Sequence, residues 1–464
     1  MQPRFLFLLL FTFFFSCENA PAPEKKVAAE VTVDDNFTKE KQAMADQVKA
    51  EFVHAWNGYK KYAWGMDGLK PLTKQGSNWY EHSLLMTPID AYDTMLLMDL
   101  EDEAKECKKL ILEKLTFDYD MEVQVFEIVI RILGGLIAAY QMDGDPKFLE
   151  LAKDLGDRLL PAFETPTKMP YRMVNLATGA TSDHLNNPAE IGTLQLEFAM
   201  LSKLTGDDKY RAKADQAMQV LYDKRSPETN LVGTVIDVDK GTWNNTDSHI
   251  SGMIDSYYEY LLKMAILFED DDYRKKYDES IKGVNKYLLD KTESGWWYSH
   301  VNMDTGERIR TQFGALDAFM PAMLALGGDL ETAKQVQASC YKFWKENKIE
   351  PEQYDYAKGE VLSGAYYLRP ENIESAAYLF HHTGDKKYFE MGKTMFESIV
   401  KYCKTEDAYA ELEDIRTMEK KDDMQSFFLA ETMKYAFLLA SDQKKLDFKN
   451  TIFNTEAHPM QKTW

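Results

Sequence analysis

The sequence predicts an all-α protein of about seven helical hairpins in a single domain. Three observations lead there. From about Lys39 onward the apolar residues recur at helical spacing. A turn signature also recurs, in MDGDPKF, LTGDDKY, FEDDDY, GGDLETA and HTGDKKY, and places Asp145, Asp207, Asp271, Asp329 and Asp385 at spacings of 62, 64, 58 and 56 residues. A period near 60 fits two helices plus their connections, with Gly or Asp closing one helix and Asp beginning the next. Strand signals are short and lie between helices, for instance at 231–237 and 296–301. Roughly 420 residues at this period make about seven hairpins, and an open solenoid or a closed α/α toroid would both satisfy the pattern.

Taken in order, residues 1–17 read as an export signal. Arg4 precedes an apolar run from Phe5 to Phe15, followed by Ser16 and Cys17. That run is well short of the roughly 20 residues a membrane-spanning helix needs, so a cleavable signal is expected. A small residue before Cys17 resembles a bacterial lipobox, although Phe14 stands where Leu is usual. The expectation is a cell-envelope lipoprotein anchored at Cys17, in the periplasm or at the cell surface, with a plainly secreted protein as the alternative. Residues 18–38 hold Pro, Ala and charge without apolar periodicity and read as a tether, leaving 39–464 as the folded domain. No later segment carries a long uncharged run, and no transmembrane helix is expected.

Composition narrows the function by exclusion. The 464 residues hold 55 Lys+Arg against 76 Asp+Glu, a net charge of −21, with 45% hydrophobic residues. A large core is affordable, and no basic patch exists to hold nucleic acid. Four cysteines in a chain this long make no disulfide framework.

The informative acids are those inside apolar stretches. Glu127 and Arg131 stand at i, i+4 within VFEIVIRILGGLIAAY (125–140), whose apolar residues cover most of the helix circumference. On a surface such a pair is worth only a few tenths of a kcal/mol, whereas on a buried helix each ion carries a desolvation penalty of about several kcal/mol. The pattern repeats at Glu190 and Glu197, at Asp255 and Glu259 beside three tyrosines, at Glu371 and Glu374 next to Arg369, and at Glu431. Acids and aromatics on successive hairpins suit a carbohydrate site, where rings stack on sugar faces and carboxylates hold hydroxyls and act as acid and base.

Eight segments resemble glycoside hydrolase family 47, the class I α-1,2-mannosidases: IDAYDTMLLM (89–98), VFEIVIRILGGL (125–136), LLPAFETPTKMPYRMVNL (159–176), AEIGTLQLEF (189–198), DSYYEYLLK (255–263), YLRPENIES (367–375), SFFLAETMKY (426–435) and FNTEAHP (453–459). The resemblance runs from about residue 47 to 460. It implies an (α/α)7 barrel and inverting hydrolysis of α-1,2-linked mannose from mannose-rich oligosaccharides or N-glycans. By motif, Glu127 matches the general acid, Glu371 the general base and Asp255 a third catalytic carboxylate. Glu190, Glu352, Glu374, Glu431 and Glu456 match acids lining the sugar pocket or the water shell of the metal. Arg369 matches an arginine beside the base, and Phe427 the aromatic at the pocket floor. Thr455 matches the single direct protein ligand of a Ca2+ ion, an ion that takes 6–8 oxygen ligands.

Two departures bear on function. Members that trim a single mannose carry an arginine two residues before the aspartate matching Asp255; here it is Met253, so the narrow single-residue specificity is not expected. Of the family disulfide, Cys340 matches one partner but Ala318 replaces the other, so Cys340 is expected free, with Cys107 and Cys403 buried, as befits a bacterial member. A glycan-binding protein with little hydrolysis is the alternative, disfavoured by the retained acid–base set. No protein partner is expected.

Overall fold

The computed structural model describes Met1 and residues 35–442 and 444–464. The export-signal and lipobox readings at 1–17, and most of the tether reading, lie outside the described residues. The tether boundary moves: the first helix, α1 (Asp35–Tyr62), begins four residues before the expected domain start. Phe37 anchors it edge-on against Phe389 and Phe380, at ring separations of 5.1 and 6.1 Å.

Thirteen further helical segments follow among the described residues. They are α2 (Met86–Leu97), α3 (Glu101–Lys114), α4 (Val125–Asp143), α5 (Pro146–Leu159), α6 (188–205, broken after Gly192), α7 (Lys209–Asp223), α8 (Asp255–Leu267), α9 (Asp271–Tyr287), α10 (Leu316–Gly327), α11 (Leu330–Asn347), α12 (Glu371–Thr383), α13 (Lys386–Cys403) and α14 (428–440). The even-numbered helices form an inner ring, each touching the next, and α14 touches α2 to close it. Each odd helix packs outside its inner partner. The result is a closed (α/α)7 barrel, which decides between the two architectures the repeat allowed. Inner helices are covered on nearly all sides, which is why their sequences are apolar around the circumference. α4 is long and apolar enough to cross a membrane, yet 72% of it is buried inside the ring.

Five turn signatures served seven hairpins for a structural reason. The α2–α3 turn runs through Met98–Leu100 with Asp99 at φ 56°, and carries no Gly-Asp signal. The seventh hairpin joins the two chain ends, α14 against α1, and has no turn at all. At the others Gly144, Gly206, Gly328 and Gly384 end the inner helix at φ 65–96°. Asp145, Asp329 and Asp385 then accept backbone N–H bonds at the next helix start. In FEDDDY the cap is Asp270 rather than Asp271, because the side chain of Asp270 reaches the N–H groups of Asp272 and Tyr273.

All of these tight turns lie at one barrel end. The long connections at the other end carry short antiparallel strands that pair across successive loops: 122–124 with 173–175, 185–186 with 235–237, 247–248 with 300–302, and 312–314 with 353–355. This collar surrounds the N-termini of the inner helices. Cys107, Cys340 and Cys403 are buried and free, as expected.

The barrel axis is plugged from the chain's C-terminus by a hairpin, Thr451–Phe453 paired with Pro459–Gln461. Its turn is held by buried polar groups. Asn454 Nδ2 donates to the Ile130 carbonyl and to Glu197 Oε1, both at 2.8 Å, and Lys434 Nζ donates to the Ala457 carbonyl at 2.6 Å. His458 contacts Asp93 through Nδ1 at 2.6 Å and Asp90 through Nε2 at 3.3 Å. Burial alone would lower the His458 pKa, but the two carboxylates bring it up to about 9. The GlyGly pair of the α4 motif serves this insertion: a Cβ on Gly135 would lie 2.5 Å from Ile89 and 3.2 Å from the His458 ring.

Candidate active site

At the collar end, the inner-helix N-termini surround a cavity of about 370 Å³. Glu127 reaches it from the first turn of α4, Asp255 opens α8 and Glu371 opens α12. The three therefore come from alternate walls of the ring. Glu190 lies in the first turn of α6, Glu374 one turn below Glu371, and Phe427 and Glu431 at the head of α14. Thr455 and Glu456 rise from the plug turn. Of the residues expected at the site, all line the cavity except Glu352. That acid stands behind Arg369, pairing with its Nη2 at 2.9 Å. Arg369 is thereby turned away from a direct bond to Glu371, whose Oε2 has no protein partner.

Two helices are locally widened where they meet the cavity. Ile128–Leu133 and Phe428–Thr432 are π-helical and contain Arg131 and Glu431. Glu127 is less deeply buried than its apolar helix implied: its side chain is 21% exposed, on the cavity wall. Arg131 is the residue that sequence reading undervalued. Its Nε donates to Glu127 at 2.9 Å, its Nη1 pairs with Glu456, and Asp90 lies 3.6 Å away. The i, i+4 pair was visible in sequence, but the two other acids arrive from α2 and the plug. Arg131 and Arg369 each stand 5.8 Å from the Phe427 ring, fixing it between two guanidinium groups. Arg172 was missed entirely: it lies in a loop before the 173–175 strand, and its Nε bonds both Glu190 oxygens at 3.0 and 2.9 Å.

Backbone strain concentrates here. Met253, Leu368 and Ala457 adopt φ of 77°, 60° and 59°, the first lying two residues before Asp255 and the others adjoining Arg369 and Glu456. Non-glycine residues in this region cost roughly 1–3 kcal/mol each and persist where surrounding structure over-determines them. Met253 itself is exposed at the cavity rim.

Burial shifts two of the carboxylates expected to be catalytic, Asp255 and Glu371. Removal from water pushes Asp255 up to about 7 from its ordinary 3.8; Glu259 adds to this and the Ser256 N–H opposes it. Removal from water also lifts Glu371 to about 7 from 4.5, against the pull of Arg369. Burial also raises Glu374, Glu431 and Glu456, helped by Glu259 and Glu371 at Glu374, by Glu456, Glu371 and Glu374 at Glu431, and by Asp90 and Glu127 at Glu456. A raised folded-state pKa means stability that is full below about pH 4 and lost as the pH rises through 7; raised His458 acts in the same sense up to about 9. The metal-free protein is therefore expected to unfold at lower urea concentration at about pH 8 than at about pH 6. A urea midpoint that climbed over that interval in chelator would contradict the assignment.

Eight carboxylates but three guanidinium groups line the cavity, and neither His nor Cys is among its described lining residues. An excess of oxygen donors around the Thr455 hydroxyl fits a hard cation of the calcium type. A second group, Asp247, His249 and His300, is also close enough to hold a metal. Its donors are already engaged: Arg310 pairs with Asp247 and donates to His300 Nδ1 at 3.2 Å, while His249 Nδ1 accepts from the Ser251 N–H at 3.1 Å.

A cavity lined by carboxylates and an aromatic ring, at the end of an α/α barrel, is the arrangement a glycoside hydrolase uses. Comparison with known proteins makes this specific: the model of glycosyl hydrolase family 47 matches residues 51–462. The chain belongs to that family. It is 36% identical over 472 residues to a mannosyl-oligosaccharide 1,2-alpha-mannosidase of Arabidopsis thaliana, covering 96% of this chain and 82% of that protein. Against the human endoplasmic reticulum mannosyl-oligosaccharide 1,2-alpha-mannosidase it is 37% identical over 442 residues, covering 88% of this chain and 62% of the other. The solved structure of the alpha-1,2-mannosidase from Trichoderma reesei superposes with a TM-score of 0.84 at 27% identity, over 90% of this chain and 99% of that one.

Proposed function

We propose that this protein is an inverting, calcium-dependent α-1,2-mannosidase that removes terminal mannose from mannose-rich glycans. The observation that carries the reading is that Glu127, Asp255, Glu371, Thr455 and Phe427 line one and the same cavity. In this reading Glu371, whose Oε2 is free of protein partners, takes the proton of a water as its oxygen bonds the anomeric carbon. Glu127 gives its proton to the departing glycosidic oxygen as the carbon–oxygen bond breaks. Arg131 holds Glu127 in place, Asp255 stabilises positive charge building on the ring, and Phe427 stacks on the sugar face. Bound at Thr455, Ca2+ would orient sugar hydroxyls and favour the ionised state of nearby acids.

Incubation with a high-mannose oligosaccharide and calcium, followed by NMR, tests the reading. The expected first product is β-mannose; α-mannose, or binding without release, would overturn it. Chelation is expected to abolish activity and added calcium to restore it, whereas full activity in excess chelator would remove calcium from the mechanism. Met253 at the rim, in place of an arginine, supports a branch preference broader than single-residue trimming. Export and a lipid anchor at Cys17 remain part of the proposal, supported by the apolar run at 5–15. Mass spectrometry of the mature N-terminus is expected to find an acylated Cys17, and an unmodified terminus beyond residue 17 would refute the anchor.

A further inference from the structure

The catalytic cavity carries one cation that the proposed reaction leaves unused. Three guanidinium groups line it, and their side chains are 7% exposed at Arg131, 19% at Arg369 and 40% at Arg172. Arg131 is engaged by Glu127 and Glu456, and Arg369 by Glu352. Arg172 differs from both. Its Nε bonds the two oxygens of Glu190, its Nη1 lies 3.6 Å from Asp183, and its Nη2 has no partner among the described residues. The backing is firm: Asn187 Nδ2 donates to Glu190 Oε1 at 2.9 Å, and the Asn187 side chain accepts the Glu190 N–H at 3.0 Å. A guanidinium held along one edge in this way keeps donors free on the other.

The main chain sets Arg172 beside the proposed acid, and the inference rests on that assignment. Val125, two residues before Glu127, donates its N–H to the Arg172 carbonyl at 3.0 Å, and Gln124 pairs with Met173 in the collar. Arg172 therefore joins the head of α4, which carries Glu127, to the head of α6, which carries Glu190. Glu127 gives its proton to the departing oxygen, so the sugar that leaves with that oxygen occupies the Glu127 side of the cavity. Gln124 and Phe126, which flank Val125, line the cavity as well. An amide, an aromatic ring and a guanidinium fork suit a neutral sugar, which they hold by hydroxyl bonds and by stacking.

We propose that Arg172 is a substrate-binding residue of the leaving-group side, its free N–H groups donating to neighbouring hydroxyls of the mannose that departs with the glycosidic oxygen. Glu190 is the positioning partner that holds the fork in place. The ligand class is a neutral α-linked oligosaccharide of at least two rings, and a single ring in the cleaved position gains little from Arg172. The residue thereby favours glycans over mannosides with small leaving groups.

The test measures binding by calorimetry in Glu371→Gln protein, with and without Arg172→Ala, using methyl α-mannoside for one ring and α-1,2-mannobiose for two. The affinity added by the second ring is expected to shrink about tenfold in Arg172→Ala, with a much smaller change for methyl α-mannoside. Arg172→Lys keeps a positive charge beside Glu190 without the fork. It is expected to lose most of that gain while its urea midpoint stays near that of Glu371→Gln alone. Equal losses for both ligands, or full rescue by lysine, would mean that Arg172 acts only through Glu190 and would overturn the inference. So would a second-ring gain that is undiminished in Arg172→Ala or absent from the start. A gain that depends on Arg172, in a protein whose wild type releases no mannose from the disaccharide, would support Arg172 as a sugar ligand and overturn the hydrolytic reading alone.

Discussion

Replacing Glu371 with Gln is expected to lower kcat by about 10²–10⁴-fold while sugar binding survives. The amide keeps the shape of the carboxylate and its place at the head of α12, but it cannot take a proton from the attacking water. Nothing in the protein compensates, since Arg369 is committed to Glu352 and Glu374 lies a turn below. Calorimetric titration with a mannose disaccharide is expected to give near-native affinity. A variant with undiminished turnover would refute Glu371 as the base. Glu127→Gln offers the contrasting result: an activated aryl mannoside, whose leaving group needs no proton, is expected to be hydrolysed far better than a glycan by that variant, and the two substrates losing equally would remove Glu127 from the acid role.

Arg131→Met is expected to destabilise the protein by about 3–5 kcal/mol, because it leaves buried acids without their cation. Arg131 is the point where α4, α2 and the plug meet, through Glu127, Asp90 and Glu456. The methionine retains much of the apolar stem, so the loss reports charge rather than volume. Calcium bound at the proposed Thr455 site would add positive charge to the same cavity and is expected to recover part of the loss, so the urea midpoint of the variant should depend on calcium more steeply than that of the wild type. A loss below about 1 kcal/mol would mean that the acids relax into solvent and that the network does not hold the plug.

The signals that proved readable were local ones. Helical spacing and the Gly-Asp turns are written within a few residues, so five hairpins could be found from their turns. The α2–α3 turn escaped because Asp99 takes the left-handed conformation without glycine, and the closing hairpin because its helices lie at opposite ends of the chain. Asp271 was mistaken for the cap since three consecutive aspartates leave the choice to backbone geometry, which selects Asp270. Site acids were legible as charges out of place in apolar helices and through motifs matching a family. Arg172 lies in the family-like segment 159–176, yet nothing local singles it out there, since a half-exposed arginine shows a role only once the fold brings Glu190 against it.

By itself, the sequence determined the helices, their number, the carboxylates on them and the family they belong to, for these depend on spacing along one segment at a time. Closure of the ring, the entry of the C-terminal hairpin into its axis and the division of Glu352 from the cavity were decided by the tertiary structure. The physical reason is that burial and charge pairing are long-range. Asp90, Glu127 and Glu456 are far apart in the chain, and only the packed barrel makes them share one arginine and face one sugar-sized cavity.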